Sequence, residues 1–121
     1  MFITQQYLRS HPDHVFVYGD NSIHRGYKGA AALRTEPNTY GFVTKKYPSS
    51  DHEAFYHPKP YRVIYSQEIQ KLKAHMLKNP GKLYLISQLG AGLANRFGIF
   101  QKVIEPNIKT DLAGYNVKFL W

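Results

Sequence analysis

The residues of this chain best suited to holding an anion are glycines placed directly after apolar runs. Val15-Phe16-Val17-Tyr18 leads into Gly19-Asp20-Asn21, and Gly26-Tyr27-Lys28-Gly29-Ala30-Ala31 follows. Farther along, Leu83-Tyr84-Leu85-Ile86-Ser87-Gln88 leads into Leu89-Gly90-Ala91-Gly92-Leu93. Backbone without side chains can approach a ligand closely, and free N–H groups beyond a strand can point at an anion. Neither segment is a dinucleotide fingerprint or a P-loop. Together, at the carboxyl ends of two strands, they would supply the cradle that a phosphate-bearing ligand needs in an open α/β sheet. The plainer alternative is two structural turns, because Gly, Asp and Asn all tolerate tight local geometry.

Polar groups beside these glycines extend the argument. Asn95 and Arg96 follow the second turn, and the guanidinium of Arg96 offers a fork matched to phosphate. Phe97 next to them serves either as a stacking ring or, as we favour, as a core plug. His24 lies between Asp20-Asn21 and Gly26, within reach of a ligand held there. The other histidines, His11, His14, His52, His57 and His75, show no HExxH spacing and no compact carboxylate cluster, so no metal site is expected. Tyr47, Phe55, Tyr56 and Tyr61 alternate with Lys45, Lys46, Lys59 and Arg62, a mixture that serves either base stacking or loop anchoring.

The elements that must carry these residues follow from periodicity and breakers. His14 to Tyr18 reads as a buried strand ending at glycine. Lys28 to Leu33 is a short helix stopped by Pro37-Asn38, and Tyr40 to Thr44 is a second strand. The prolines at 48, 58 and 60 make Tyr47 to Pro60 a loop. Tyr61 to Asn79 is the clearest helix, with Ile64, Ile69, Leu72, Met76 and Leu77 near helical spacing and Asn79-Pro80-Gly81 as its stop. Lys82 to Ser87 is a strand, and Phe97 to Asp111 a helix that must kink or restart at Pro106. Tyr115 to Trp121 alternates as a closing strand. This order implies one α/β domain over residues 1–121, a largely parallel or mixed sheet with helices on its faces.

Composition narrows the partners. The 121 residues include 16 Lys and Arg against 8 Asp and Glu, a formal charge of +8. Such an excess draws polyanions, whether nucleic acid, nucleotide or phosphorylated metabolite. With no cysteine there is no disulfide, thiol nucleophile or thiolate metal site. No apolar run approaches the roughly 20 residues of a membrane span. The start, Met1 to Arg9, lacks the pattern of a signal peptide, so a cytoplasmic protein without a membrane partner is expected.

Gly41-Phe42-Val43-Thr44-Lys45-Lys46, the Pro/His loop, the helix Gln67 to Asn79 and Leu89-Gly90-Ala91-Gly92-Leu93 stand in a telling order. From about Val15 onward the chain resembles the macrodomains, above all the branch of the terminal ADP-ribose protein glycohydrolase. In that branch a strand ends in Thr-Lys-Lys, a long helix follows, and the next strand enters a Gly-x-Gly-Leu loop. The resemblance implies a compact three-layer macro-like domain that binds ADP-ribose or a related nucleotide and needs no cofactor. The diphosphate would rest on the amides of Gly29-Ala30 and of Gly90, Ala91, Gly92 and Leu93. Asp20 or Asn21 would orient adenine or ribose, with Gly19, Gly26 and Thr44 lining the same site. Lys45 falls on the branch's catalytic lysine, beside the distal ribose, where it would attack C1″ or hold a phosphate. The branch places an aspartate after Gly-x-Gly-Leu, and this chain has Ala94 there. Asp20, or less favourably Asp51, would then be the acid for any hydrolysis. Three readings stand at this point: removal of ADP-ribose from protein or nucleic acid, a non-catalytic nucleotide-binding module, and a basic nucleic-acid-binding protein. The first two require both glycine turns on one rim of the sheet.

Overall fold

A computed structural model describes residues 2–121. Its centre is a four-stranded sheet of β1 (His14–Asn21), β2 (Thr39–Lys45), β3 (Leu83–Ile86) and β4 (Val117–Phe119). The strands lie in the order β2-β1-β3-β4, and every pair is parallel. The fold is therefore of the α/β class with a parallel sheet, and among the described residues no antiparallel strand enters it. Helices α1 (Gln5–Ser10), α2 (Pro58–Lys78) and α3 (Ile108–Asp111) join short 3₁₀ turns at Gly29–Leu33 and His52–Ala54 and a π-helical turn at Phe100–Ile104.

Parallel strands are buried on both faces, and alternate side chains serve opposite sides. Val15, Val17, Phe42, Tyr84 and Ile86 meet Tyr61, Ile69 and Leu72 of α2 and Ile99, Val103 and Ile104 beyond β3. Phe16, Tyr18 and Leu85 meet Ile3, Leu8 and Ala31 on the other face. Thr4 starts α1, its hydroxyl accepting the Tyr7 amide at 3.0 Å. The sequence reading gave that segment no helix, although Thr4 is a capping residue.

Other boundaries moved for local reasons. Pro58 and Pro60 lie inside the first turn of α2, where a helix needs no amide donor, so the prolines open the helix instead of prolonging the loop. Near Pro106 the chain restarts. The Glu105 amide reaches back five residues to the Phe100 carbonyl at 2.8 Å, and α3 begins afresh at Ile108. β1 runs on through Gly19, Asp20 and Asn21, with a register shift between Asp20 and Asn21, so these residues end a strand and are not a separate turn. No helix among the described residues is long and apolar enough to cross a membrane.

β2 lies at an edge of the sheet, and unpaired edge groups invite foreign strands. Here α2 occupies them. The Val43 amide donates to the Glu68 carboxylate at 2.7 Å, and the Tyr61 hydroxyl donates to the Val43 carbonyl at 2.6 Å. One residue group farther on, Lys45 bridges Phe55, and the Lys46 amide donates to the Ala54 carbonyl at 2.8 Å. Glu68→Ala would leave the buried Val43 amide unsatisfied and Tyr61→Phe the buried Val43 carbonyl, each at about 1–3 kcal/mol, with the orphaned amide the costlier of the two. Urea denaturation of both variants should give that ranking; an unchanged midpoint for Glu68→Ala would show that Val43 needs no partner.

Candidate functional site

The chain leaves β1 for β2 on one side, then crosses back through α2 to lay β3 on the other side. Strand order therefore reverses between β1 and β3, and ligands of open α/β sheets settle outside the carboxyl ends of the strands at such a point. A cavity of about 720 Å³ opens there. It lies within the ~300–1,000 Å³ usual for small-molecule sites. Both glycine-rich segments line it, together with Lys45 and Pro48 to Ser50 from the loop after β2. The two turns thus share one rim.

Backbone donors are abundant on this rim. Among the described residues, the amides of Gly26 through Ala30 make no hydrogen bond within the chain. The same is true of the amides of Gly90, Gly92, Leu93 and Ala94. Gly29 has φ +60, a left-handed conformation that a side chain would strain, and nothing occupies the place of its missing Cβ. Gly90 differs: it has φ +76, and a Cβ there would lie 2.6 Å from Ile104 Cδ1, so packing as well as backbone conformation demands glycine.

Asp20 is the anchor of the first segment. Its side chain is 1% exposed and accepts both Arg34 guanidinium nitrogens, Nη1 at 2.9 Å and Nη2 at 2.5 Å. Arg34 Nε also donates to the Gly26 carbonyl at 3.0 Å, and the guanidinium lies over the Tyr18 ring. His24, at φ 54, sets Nδ1 2.7 Å from Asp20 Oδ2. The loop bearing the open amides is therefore pinned to one carboxylate at His24 and at Arg34. A Cβ at Gly41 would collide with that carboxylate. Burial pushes the Asp20 carboxyl up, but hydrogen bonds from Arg34, His24 and the Asn21 amide outweigh it and hold it below its ordinary 3.8. Asn21 is likewise committed: its Nδ2 donates to the Arg25 carbonyl at 2.6 Å and its Oδ1 accepts the Ile23 amide at 3.2 Å.

Lys45 faces the cavity from the end of β2, brought beside Asn21 by the shifted register. Its ammonium donates to the Ser49 carbonyl at 2.7 Å and lies over the Phe55 ring. Burial, then the charge of Lys28, lowers its pKa from 10.5. Exposed Arg25 and Lys28 also line the cavity. The one acid in the lining is Asp20, which Arg34 neutralises, so the field in the cavity is positive. Tyr27 and Leu93, 63% and 73% exposed, add apolar surface to the same lining.

Of the residues expected to meet a ligand, Gly19, Asp20, Asn21, Gly26, Gly29, Ala30, Thr44, Lys45, Gly90, Gly92 and Leu93 line the cavity, and Ala91, Asn95 and Arg96 lie outside the lining. Asn95 spends its side chain on the Phe100 amide at 3.0 Å and on Gln101 at 2.9 Å. Arg96 lies over Phe55 and reaches the Ser50 carbonyl at 3.4 Å. Phe97 is stacked on His57 at 3.9 Å, edge-on to His52, and staples two loops together instead of plugging the core. Ala94 is buried, with no carboxylate of its own to offer. Arg34 and Tyr27 were not foreseen as site residues. Nothing in the sequence pairs Arg34 with Asp20, whereas Tyr27 stood openly among the glycines. Among the described residues no cluster of three or more His, Asp or Glu is placed to hold a metal ion.

A family model described as a family of unknown function (DUF7831) matches residues 1–96, and the chain belongs to that family. The matched stretch contains both glycine-rich segments and Lys45. No curated protein and no solved structure matches the chain.

Asp20→Asn keeps the shape but removes the charge that Arg34 and His24 share, at about 1.5–3 kcal/mol. Because the folded pKa is depressed, the carboxylate's stabilising effect is complete above the unfolded value and fades as pH falls through the folded one. Urea midpoints measured from pH 5 downward should therefore fall more steeply for the natural chain than for Asp20→Asn. Parallel curves would show that Asp20 carries no such linkage.

Proposed function

We propose that the cavity binds ADP-ribose or a closely related nucleotide. The observation that carries this reading is the pair of open amide sets, Gly26 to Ala30 and Gly90, Gly92, Leu93 and Ala94, on residues that line one cavity at the strand-order reversal. A diphosphate satisfies donors from both sets at once, and Arg25, Lys28 and Lys45 add opposite charge around it. Tyr27 and Leu93 offer an apolar slot for a base. The macrodomain resemblance of Thr44-Lys45-Lys46 and of Gly90 to Leu93 points to the same ligand, and in that reading the parallel sheet belongs to a macro-like domain.

Titration calorimetry tests the ligand. ADP-ribose should bind, and Tyr27→Ala should weaken it by about 1–3 kcal/mol, the usual worth of a base stacked on an aromatic ring. Ribose 5-phosphate, which has no base, should bind both proteins alike. Absence of heat with ADP-ribose at high concentration would remove the proposal.

A catalytic reading has one observation of its own, the lowered pKa of Lys45 in the cavity. An amine closer to its neutral form is a better nucleophile toward the ribose C1″. Its restraint is Ala94, which provides no acid next to the second turn. ADP-ribosylated protein or DNA incubated with the natural chain and with Lys45→Ala distinguishes the readings. Release that depends on Lys45 supports hydrolysis, and ligand retained unaltered by both proteins supports a binding module.

A further inference from the structure

α2 spans 21 residues, and its one acid, Glu68, is buried against Val43 with Lys71 3.5 Å from its second oxygen. The exposed residues of the helix include Lys59, Arg62 and Lys78 and no Asp or Glu, and Lys73 lies half-buried beside them. Among the described residues, none of these cations forms a salt bridge. Helices on ordinary surfaces intersperse both signs three or four residues apart, since like charges at that spacing repel. Here Lys59, Arg62, Ser66, Gln70 and Lys73 follow one another at spacings of three and four, so they form a single ridge.

That ridge runs about 21 Å from Lys59 to Lys73 at the rise of an α-helix. The length matches about six phosphates of one duplex strand. Ser66, Gln67 and Gln70, exposed between the cations, are neutral donors of the kind that bond phosphate oxygens. Two cations are steadied by their neighbours: Arg62 donates to the Lys102 carbonyl at 3.4 Å, and Lys73 lies 5.5 Å from the centre of the Tyr115 ring. Apolar exposure on the helix is limited to Pro60, Val63, Ala74 and Leu77, with polar residues among them, which is too little for insertion into lipid.

We infer that the outer face of α2 is a nucleic-acid-binding surface that reads the phosphate backbone without sequence preference. It is separate from the cavity, whose lining includes no residue of α2. The backbone partner is held by charge, so its affinity falls steeply with salt.

The test is fluorescence anisotropy with a labelled short duplex and with its single strand, from low to physiological salt. The double variant Lys59→Gln/Arg62→Gln should lose at least about tenfold in affinity and flatten the salt slope by about 2, near 1 per cation removed. A matched control, Lys82→Gln/Lys118→Gln, removes the same charge elsewhere and should retain most of the binding. Equal loss in both double variants would reduce the effect to net charge and overturn the inference. So would failure of both oligonucleotides to bind at low salt, or binding to anionic phosphatidylserine vesicles alone. Calorimetry with ADP-ribose on the Lys59→Gln/Arg62→Gln protein should match the natural chain, so the result stands or falls independently of the cavity's ligand.

Discussion

The Asp20 carboxylate, buried at the end of β1, is the constraint on which the rest of the site depends. It receives both guanidinium nitrogens of Arg34 and the His24 ring, and Arg34 in turn holds the Gly26 carbonyl. A glycine-rich segment is costly to order, because glycine loses more conformational freedom than any other residue. Here a single anion fixes both ends of that segment, leaving its amides oriented before any ligand arrives. Preorganisation of this kind strengthens binding chiefly by removing the ordering cost from the binding step. The same pairing cancels the one negative charge that would otherwise face an anionic ligand.

Topology supplies the second half of the site without any special sequence. Once β2 and β3 lie on opposite sides of β1, the loops after β1 and β3 must diverge, and a crevice opens between them. The loop after β2 then forms a wall. It is held by the bridge from Lys45 to Phe55 and by the His57–Phe97 stack, which ties it to the segment after β3. Lys45 owes its place to this wall, since its ammonium rests on the Ser49 carbonyl of the same loop.

Much of this was legible in the residues. The apolar runs ending in glycine located β1 and β3, and the spacing of Ile69, Leu72 and Met76 located α2. The parallel order followed from alternation of strands and helices, and with it the meeting of both glycine segments on one rim. What could not be read was long-range pairing. Asp20 looked like a free acid because its partners lie four and 14 residues away on a path set by tertiary packing. Arg96 looked like a phosphate fork because its type fits, yet it lies over Phe55. Pro58 and Pro60 carried an ambiguous signal, since proline both breaks a helix and begins one.

The treatment of Val43 has an evolutionary consequence. Side chains of α2 occupy its amide and carbonyl, so a further strand could not pair with β2 at Val43. β4 is the opposite margin, and no strand of the described chain pairs beyond it. Relatives that enlarge this architecture should accordingly grow in one direction, with added strands accreting past β4 while the β2 flank keeps its original outline.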